Sequence, residues 1–256
     1  MKKVKYTLAG ALIASLRRIK PQRRFVTAVI LAAGSGTRMG ADVTKQWLLL
    51  ENEPLFVHSL RAFEECRHIR EIVLVIKPEE KDMYVGIAER YGFKKLKAVV
   101  SGGDTRAASA LNGFKKISDK TTHVAIHDAA RCLITPQMIS KVVTSAFAHG
   151  AAAAGCKAAD TVKLCTKKSF VQSTPERASV RLAQTPQVFE TEIYRASAYL
   201  AISDKLSVTD DCSLAEHAGF PVRIVDCGKE NLKITEPVDL YFAEAVLKMR
   251  RDATKK

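Results

Sequence analysis

Apolar residues occur along the chain in short continuous runs that are separated by stretches with helical spacing. The first run, Val26–Ala33, is typical of a strand buried on both faces of a sheet. Runs at Glu71–Lys77, Leu96–Val100 and His123–His127 predict three more strands, and Val222–Asp226 predicts another near the end. Each run is four to eight residues long, so the pattern predicts strands of ordinary length.

The stretches between these runs have apolar residues at helical spacing. Thr135-Pro136 has the favoured order of a cap residue followed by proline, and it predicts a helix that continues to about His149. Further helices are predicted at Pro54–Cys66, at 79–91, over the apolar positions Ala107, Leu111 and Phe114 with Thr105 or Asp104 as the cap, at 191–202, and from Glu236 to about Arg250 with Thr235 as its cap. Strands that alternate with helices predict an α/β fold with a mostly parallel sheet covered on both faces.

One segment, about 157–183, interrupts this alternation. It is polar, alternates only weakly and has no helical stripe, which favours an extended arm or hairpin that projects from the body. We therefore predict one domain, 25–256, that carries an arm at about 157–183.

Charge is concentrated at the two ends of the chain. The sequence has 41 Lys and Arg against 27 Asp and Glu, a net charge of +14. Residues 1–24 hold eight basic and no acidic side chains, and residues 245–256 hold five basic and one acidic. The body between them has 28 basic against 26 acidic side chains. A nucleic-acid-binding surface on the body is not indicated, because it would need many clustered cations. An anionic ligand must be held by a few placed cations.

The basic segment 1–24 contains an apolar run at Tyr6–Leu16 that is too short to span a bilayer. We interpret it as a basic N-terminal extension, with a targeting peptide as the alternative. The expected location is the cytoplasm, or a plastid or other organelle if the segment is a transit peptide. No membrane partner is expected.

The six cysteines, which lack CxxC spacing, predict reduced thiols in the core rather than a zinc site or a disulfide framework. Cys132 adjoins Arg131, which would suit an activated thiol, but a packing role is the preferred interpretation.

Three strand ends carry candidate chemistry. Gly34–Gly40 (GSGTRMG) follows the first strand and matches neither GxGxxG nor a Walker loop, but Arg38 and Lys45 follow closely. A second glycine turn, Gly102-Gly103-Asp104, and the run His127–Arg131 (HDAAR) follow two other strands. Carboxyl ends of parallel strands meet at one edge, where α/β proteins bind ligands. The pattern favours a nucleotide site, although each motif alone also fits a turn or a helix cap.

These motifs, followed by TPQ at Thr185–Gln187, TDD at Thr209–Asp211 and NLKIT at Asn231–Thr235, resemble the 2-C-methyl-D-erythritol 4-phosphate cytidylyltransferases in order and spacing. The resemblance covers about residues 25–250. It implies a Rossmann-like nucleotidyltransferase domain whose projecting β-arm builds a homodimer. It also implies transfer of CMP from CTP to a polyol phosphate, with release of pyrophosphate and with Mg²⁺ or another divalent cation held mainly by the CTP phosphates, in isoprenoid precursor biosynthesis.

The resemblance also assigns roles to residues. Catalytic roles are implied for Arg38 and Lys45, which would stabilise the α-phosphate, and for Arg177 and Lys233, which would position the substrate. Contacts with CTP are implied for Ala32, Ala33, Gly34, Gly36, Gly103, Asp104, Ser109 and Ala129. Contacts with the second substrate are implied for Asp128, Arg131, Thr161 and Thr209.

Two positions depart from the family pattern, since Thr44 and Cys132 stand where the family commonly has proline. Each loses a rigid backbone angle rather than a charge. Two alternatives stay open: a cytidylyltransferase for ribitol 5-phosphate or another polyol phosphate, and a non-catalytic nucleotide-binding protein.

Overall fold

The computed structural model describes residues 24–34 and 45–254. The strands are β1 (Val26–Leu31), β2 (Leu49–Leu50), β3 (Glu53–Pro54), β4 (Ile69–Ile76), β5 (Leu96–Ser101), β6 (His123–Asp128), β7 (Ala151–Lys157), β8 (Leu164–Cys165), β9 (Val171–Ser173), β10 (Arg181–Glu190) and β11 (Arg223–Asp226). The helices are α1 (Leu55–Glu65), α2 (Lys81–Tyr91), α3 (Arg106–Phe114), α4 (Pro136–His149), α5 (Thr191–Ser203), α6 (Asp211–His217) and α7 (Val238–Thr254).

Seven strands form one sheet in the order β11-β7-β10-β6-β1-β4-β5. β10 runs antiparallel to both of its neighbours, and the other pairs are parallel. The predicted α/β fold with a mostly parallel sheet is therefore confirmed. Because the chain goes from β1 outward to β4 and β5 and then returns to β6, the strand order reverses at β1, and this is the position where such sheets bind ligands.

The sheet separates two apolar cores. Along β1, Ala28 and Ile30 face the core formed with α1, α2 and α4, while Val29 and Leu31 face the core formed with α3, α5 and α6. This alternation is the period of two that a strand imposes on its side chains. It explains the continuous apolar run, because both faces of the central strand are buried.

The helix caps follow from local sequence. The Thr135 side chain accepts a hydrogen bond from the Met138 N–H, and Thr105 does the same for Ala108, as predicted for these caps. The prediction for the last helix was wrong at both ends, because α7 extends from Val238 to Thr254. The Asp239 carboxylate accepts from the N–H groups of Thr235 and Glu236, which keeps these two residues in the turn before the helix.

The two-residue strands β2 and β3 were not predicted, and neither were three longer elements. β7 has the sequence AAAAGCK, and its alanines lack the β-branched signal of a strand, yet it is buried between β10 and β11. β10 begins inside the predicted arm and continues into the sheet, and α6 is a helix of only seven residues. Tertiary pairing determines β7 and β10, and short length hides α6.

The predicted arm contains the two-stranded hairpin of β8 and β9 and a short 3₁₀ helix at Arg177–Ser179. Its apolar side chains Leu164, Phe170 and Val171 are more than half exposed. The six cysteines are free thiols, but Cys165 is exposed on the arm, so the prediction that the cysteines lie in the core was wrong for that residue. Within residues 24–34 and 45–254, no helix is long and apolar enough to cross a membrane.

Candidate active site

The loops after β1, β5 and β6 begin side by side at one edge of the sheet. The N–H groups of Ala32, Gly102 and Ala129 each donate to a carbonyl near the end of a neighbouring strand, at 2.7, 2.8 and 3.0 Å. Ala32 and Ala129 are fully buried as a result. These bonds fix the starting point of each loop, so the predicted meeting of the three strand ends is confirmed.

The glycine turn after β5 requires residues without side chains. A Cβ atom on Gly102 would lie 2.7 Å from the Cβ of Ala33, and one on Gly103 would lie 2.7 Å from the Cβ of Ala108. The Ser109 hydroxyl accepts from the Gly103 N–H at 3.0 Å. The turn is therefore packed closely between the β1 loop and the first turn of α3.

A cavity of 370 Å³ opens between the β1 loop and this glycine turn. Small and polar residues form most of its lining, together with the cations Arg106 and Lys233. Its lining consists of Leu31, Ala33, Gly34, Gln46, Gly103, Asp104, Thr105, Arg106, Ser109, Asp128, Ala130 and Lys233. A glycine turn beside cationic side chains suits a nucleotide, because the backbone can approach a phosphate closely there.

A second cavity of 260 Å³ adjoins the first. Arg106, Asp128 and Lys233 line both cavities and so form the wall between them. The other lining residues of the second cavity are Arg131, Ala183, Gln184, Thr185, Gln187, Thr209 and Asp210. Two neighbouring cavities with a shared charged wall can hold two anionic molecules against each other.

Asp128 is the centre of this wall. Its Oδ1 accepts from Arg106 Nε at 3.1 Å, and its Oδ2 accepts from Lys233 Nζ at 2.7 Å. Burial alone would raise the pKa of Asp128, but the adjacent Arg106 and Lys233 cations hold it well below its usual range. The carboxylate is therefore ionised and keeps both cations in place.

The TPQ segment, Thr185–Gln187, contacts the wall at Asp128 through the Thr185 hydroxyl. The Thr185 hydroxyl accepts from the Asp128 N–H at 3.0 Å and also contacts His127 Nδ1 at 3.0 Å. His127 is fully buried, and burial lowers its pKa to about 3, so the ring is neutral. Because Thr185 already accepts from Asp128, its own hydroxyl hydrogen is available to His127 Nδ1. A neutral, fully buried ring gives His127 a structural role.

The NLKIT segment, Asn231–Thr235, is hydrogen-bonded to residues 184–185 and to Ala130 in the loop after β6. The fully buried Asn231 side chain donates to Gln184 Oε1 at 3.0 Å and to the Thr185 carbonyl at 2.9 Å. The Ile234 N–H donates to the Ala130 carbonyl at 2.9 Å. Lys233 lies between these anchor points, which places its side chain against Asp128 although the two motifs are distant in the sequence.

Arg131 makes backbone contacts instead of an ion pair. Its Nη1 donates to the Asn231 carbonyl at 2.9 Å, and its pKa is lowered by burial. Cys132 beside it is buried, and burial raises the pKa of its thiol to about 12, which fits the predicted packing role.

Most of the predicted site residues that the structure describes surround the two cavities. Ala33, Gly34, Gly103, Asp104, Ser109, Asp128, Arg131, Thr209 and Lys233 line one or both of them. Four predicted residues that the structure describes line neither cavity. Ala32 and Ala129 are fully buried. Thr161 and Arg177 are exposed on the arm, where Arg177 Nη1 donates to the Ala159 carbonyl. Gly36 and Arg38 lie outside the described residues, as does the side chain of Lys45, whose backbone begins a short 3₁₀ helix.

Arg106 and Asp211 belong to the site but were not predicted from the sequence. Arg106 follows the glycine turn as the first residue of α3, and a charged residue at that position, next to a predicted phosphate site, was an available signal. Asp211 is the last residue of the TDD motif, of which only Thr209 was assigned a role.

The side chains available as ligands limit the kind of metal site that is possible. Within the part of the chain that the structure describes, no group of three or more His, Cys, Asp or Glu side chains converges on a metal position. Asp128 is an ionised carboxylate between the cavities, and both of its oxygens already accept from cations. This fits a divalent cation that arrives with a nucleotide triphosphate better than a resident centre built from protein ligands alone.

The sheet order, the glycine-lined cavity and the charged wall define a nucleotidyltransferase. A family model described as "IspD: 2-C-methyl-D-erythritol 4-phosphate cytidylyltransferase" matches residues 26–249, and the chain belongs to this family. It is an enzyme of the cytidylyltransferase class, and the family resemblance stated from the motifs is confirmed.

The similarity to individual relatives supports this family assignment. The chain is 39% identical over 229 residues to the 2-C-methyl-D-erythritol 4-phosphate cytidylyltransferase of Alkaliphilus metalliredigens, covering 89% of this chain and 95% of that protein. It is 41% identical over 227 residues to that of Pelotomaculum thermopropionicum, covering 88% and 95%. The crystal structure of 4-diphosphocytidyl-2C-methyl-D-erythritol synthase from Anaerococcus prevotii superposes with a TM-score of 0.79 at 30% identity, covering 88% and 96%.

Proposed function

We propose that this chain transfers CMP from CTP to the phosphate of 2-C-methyl-D-erythritol 4-phosphate, giving 4-diphosphocytidyl-2-C-methyl-D-erythritol and pyrophosphate. The observation that carries the proposal is the wall of Arg106, Asp128 and Lys233 between two cavities. In this proposal CTP occupies the cavity at the glycine turn, and the polyol phosphate occupies the cavity at TPQ and TDD. Family membership supports both assignments.

The chemistry requires cations and alignment more than proton transfer. A phosphate that attacks the α-phosphate of CTP is already ionised, so no general base is needed, and repulsion between two anions is the main obstacle. Lys233 stands where it can contact an anion in either cavity. Arg38 and Lys45 are proposed to stabilise charge on the α-phosphate, on the basis of the motif resemblance.

A divalent cation, Mg²⁺ in the first instance, is proposed to bind mainly through the CTP phosphates and to neutralise part of their charge. Asp104 and Asp128 are the carboxylates that line the CTP cavity and could contact it. In the same proposal the chain forms a homodimer through the arm, which would explain the exposed apolar residues Leu164, Phe170 and Val171. The domain limits, 25–256 with a basic extension before it, and a cytoplasmic or organellar location stay predictions.

The test is pyrophosphate release by the full chain with Mg²⁺ and a matrix of nucleotides and polyol phosphates. CTP, UTP, ATP and GTP are combined with 2-C-methyl-D-erythritol 4-phosphate and with ribitol 5-phosphate. We expect turnover with CTP and the methylerythritol substrate. Preference for ribitol 5-phosphate or a purine nucleotide would reject the assigned substrates, and CTP binding without turnover would favour the non-catalytic alternative.

A further inference from the structure

Asp211 is a buried residue next to the wall between the cavities, and three neighbouring side chains hydrogen-bond to it. Only 1% of its surface is exposed. Its carboxylate accepts from Arg106 Nη1 at 2.7 Å and from the Tyr194 hydroxyl at 3.2 Å. Its backbone N–H donates to Gln187 Oε1 at 2.9 Å. The position of this carboxylate is therefore fixed by neighbouring strands and helices.

Arg106 connects this buried carboxylate to the cavities. Its guanidinium donates through Nη1 to Asp211 and through Nε to Asp128, and Asp128 in turn accepts from Lys233. Because the guanidinium is a rigid plane, fixing Nη1 at Asp211 also fixes the direction in which Nε meets Asp128. The four side chains form a row of alternating charge from the core to the cavity wall.

Helix capping and ion-pair stability do not account for Asp211. The cap of α6 is Asp210, whose carboxylate accepts from the Ser213 N–H at 3.1 Å. Burial raises the pKa of Asp211, with Arg106 opposing the shift, which shows that an ionised group here is costly. A buried ion pair is on average no more stabilising than well-packed apolar residues. Something other than stability must favour a carboxylate at this position.

We propose that Asp211 is a positioning residue, which acts through Arg106 to hold Asp128 between the two cavities and to keep Arg106 away from the nucleotide phosphates. The inference rests on the proposed function. Arg106 lines the nucleotide cavity, so a guanidinium released from Asp211 could pair with the triphosphate instead of orienting Asp128. By holding Arg106, Asp211 keeps Asp128 in its observed position. Lys233 then stays available to contact the reacting phosphates.

The test is Asp211→Asn in the full chain, which keeps the shape and removes the charge. We expect kcat to fall about 10–100-fold, the loss typical of a displaced positioning contact. KM for CTP should stay the same or fall, because the wall gains one net positive charge. Loss of structure alone would instead raise KM and lower Tm. Near-normal kcat, or a raised KM for CTP, would overturn the proposal.

A matched control is available in a distant ion pair. Arg61 donates two bonds to Glu53, at 2.6 and 2.7 Å, and neither residue lines the cavities. Arg61→Lys weakens that pair and should leave kcat and both KM values unchanged. A fall in kcat as large as that of Asp211→Asn would mean that loss of any ion pair inactivates the enzyme, and would overturn the proposal.

A double variant tests the path through Asp128. If Asp211 acts through Arg106 and Asp128, adding Asp211→Asn to Asp128→Asn should lower kcat less than about threefold further, whereas full additivity would overturn the proposal. If Asp211→Asn does not fold, Tyr194→Phe replaces it, since it removes one hydroxyl donor and keeps the ring contacts with Phe114 and Phe189. It should lower kcat about 2–10-fold, and unchanged kcat would overturn the proposal.

Failure of the proposed function through loss of all turnover is recognised separately, because the wild-type chain would then release no pyrophosphate with any substrate pair. CTP affinity, measured by calorimetry, becomes the readout in that case. Asp211→Asn should bind CTP as tightly as wild type or more tightly, and Arg61→Lys should bind it equally. Weaker CTP binding by Asp211→Asn alone would overturn the proposal.

Discussion

Lys233 Nζ lies 2.7 Å from Asp128 Oδ2, although 105 residues separate the two in the sequence. The backbone bond from Ile234 to Ala130 and the buried side chain of Asn231 bring the two motifs together. The charges are thus held in place before any substrate enters. Preorganised charges of this kind cost no reorganisation when the reaction occurs, which is where an enzyme gains most of its electrostatic stabilisation.

Replacing Lys233 with Met should act on the second substrate. Lys233→Met keeps most of the stem and removes the ammonium, so KM for the polyol phosphate should rise at least about tenfold and kcat should fall about 10²-fold. KM for CTP should change much less. Lys229→Met, at an exposed lysine of the same loop, is the control. An unchanged KM for the polyol phosphate would contradict the role of Lys233, and steady-state kinetics with each substrate varied decides.

Gly103→Ala should weaken nucleotide binding without unfolding the chain. The new Cβ would lie 2.7 Å from the Cβ of Ala108, so the glycine turn or the start of α3 must move. We expect CTP affinity to fall between about tenfold and a hundredfold, as for a displaced binding group. Gly86→Ala is the control, because a Cβ there meets nothing within 4 Å inside α2. Calorimetric titration with CTP measures both variants, and normal affinity in Gly103→Ala would refute the prediction.

The sequence pattern predicted the parallel part of the sheet well, for a physical reason. Strands such as β1 are buried on both faces, so their continuous apolar runs are distinctive, and the caps at Thr105 and Thr135 mark the starts of α3 and α4. β7 and β10 could not be found in this way. The alanines of β7 have no strand preference of their own, and β10 begins in the polar arm, so both depend on long-range pairing.

The site residues show the same difference between features that local sequence predicts and features that long-range contacts determine. Residues in contiguous motifs, such as Asp104 and Asp128, were found from their positions after predicted strands. Arg106 was overlooked although it directly follows the glycine turn, and Asp211 was missed because its role arises from an ion pair between α3 and α6 that no local pattern contains. Pairings between distant helices are decided by the packing of the core, which the sequence pattern does not specify.

The buried His127 should make stability depend on pH. Burial lowers its pKa from 6.5 to about 3, so between these values the unfolded chain binds a proton that the native chain does not. Stability is therefore full above about pH 6.5 and falls as pH decreases, by up to about 1.4 kcal/mol per pH unit from this group. Urea unfolding between pH 7 and pH 5 should show a shallower decline in His127→Gln than in wild type.

The control for this measurement is His149→Gln, which changes an exposed histidine at the end of α4. Because only the difference between each variant and wild type is used, contributions from the other titrating groups cancel. Equal pH slopes in wild type and His127→Gln would show that the buried ring does not remain neutral in the native chain.

Arg38 and Lys45 should act mainly on the rate. Charge on the α-phosphate oxygens grows only toward the transition state, so cations placed there lower the barrier more than they strengthen CTP binding. Arg38→Ala and Lys45→Ala are each expected to reduce kcat roughly 10²–10³-fold, about 3–4 kcal/mol, with a smaller change in the dissociation constant of CTP. Single-turnover kinetics and calorimetry separate the two effects. Near-normal kcat in either variant would remove that residue from the proposed role.

Arg177 should serve the active site of a partner subunit. It is exposed on the arm, where its Nη1 donates to the Ala159 carbonyl, and it lines neither cavity of its own chain. Exposed strand edges and apolar side chains on the arm favour pairing with a second arm, which a symmetric dimer would supply. In such a dimer Arg177 would hold the polyol phosphate in line with the α-phosphate of CTP bound to the other subunit.

Mixing two inactive variants, Lys45→Ala and Arg177→Ala, tests this arrangement once subunit exchange is verified by mass spectrometry. If Arg177 acts on the partner subunit, each mixed dimer has one site with both lesions and one with neither. At full random exchange half of the dimers are mixed, so activity should recover to about a quarter of wild type. If Arg177 acted within its own subunit, every site would keep one lesion and no activity would return. Exchange without recovery would therefore assign the arm to its own active site.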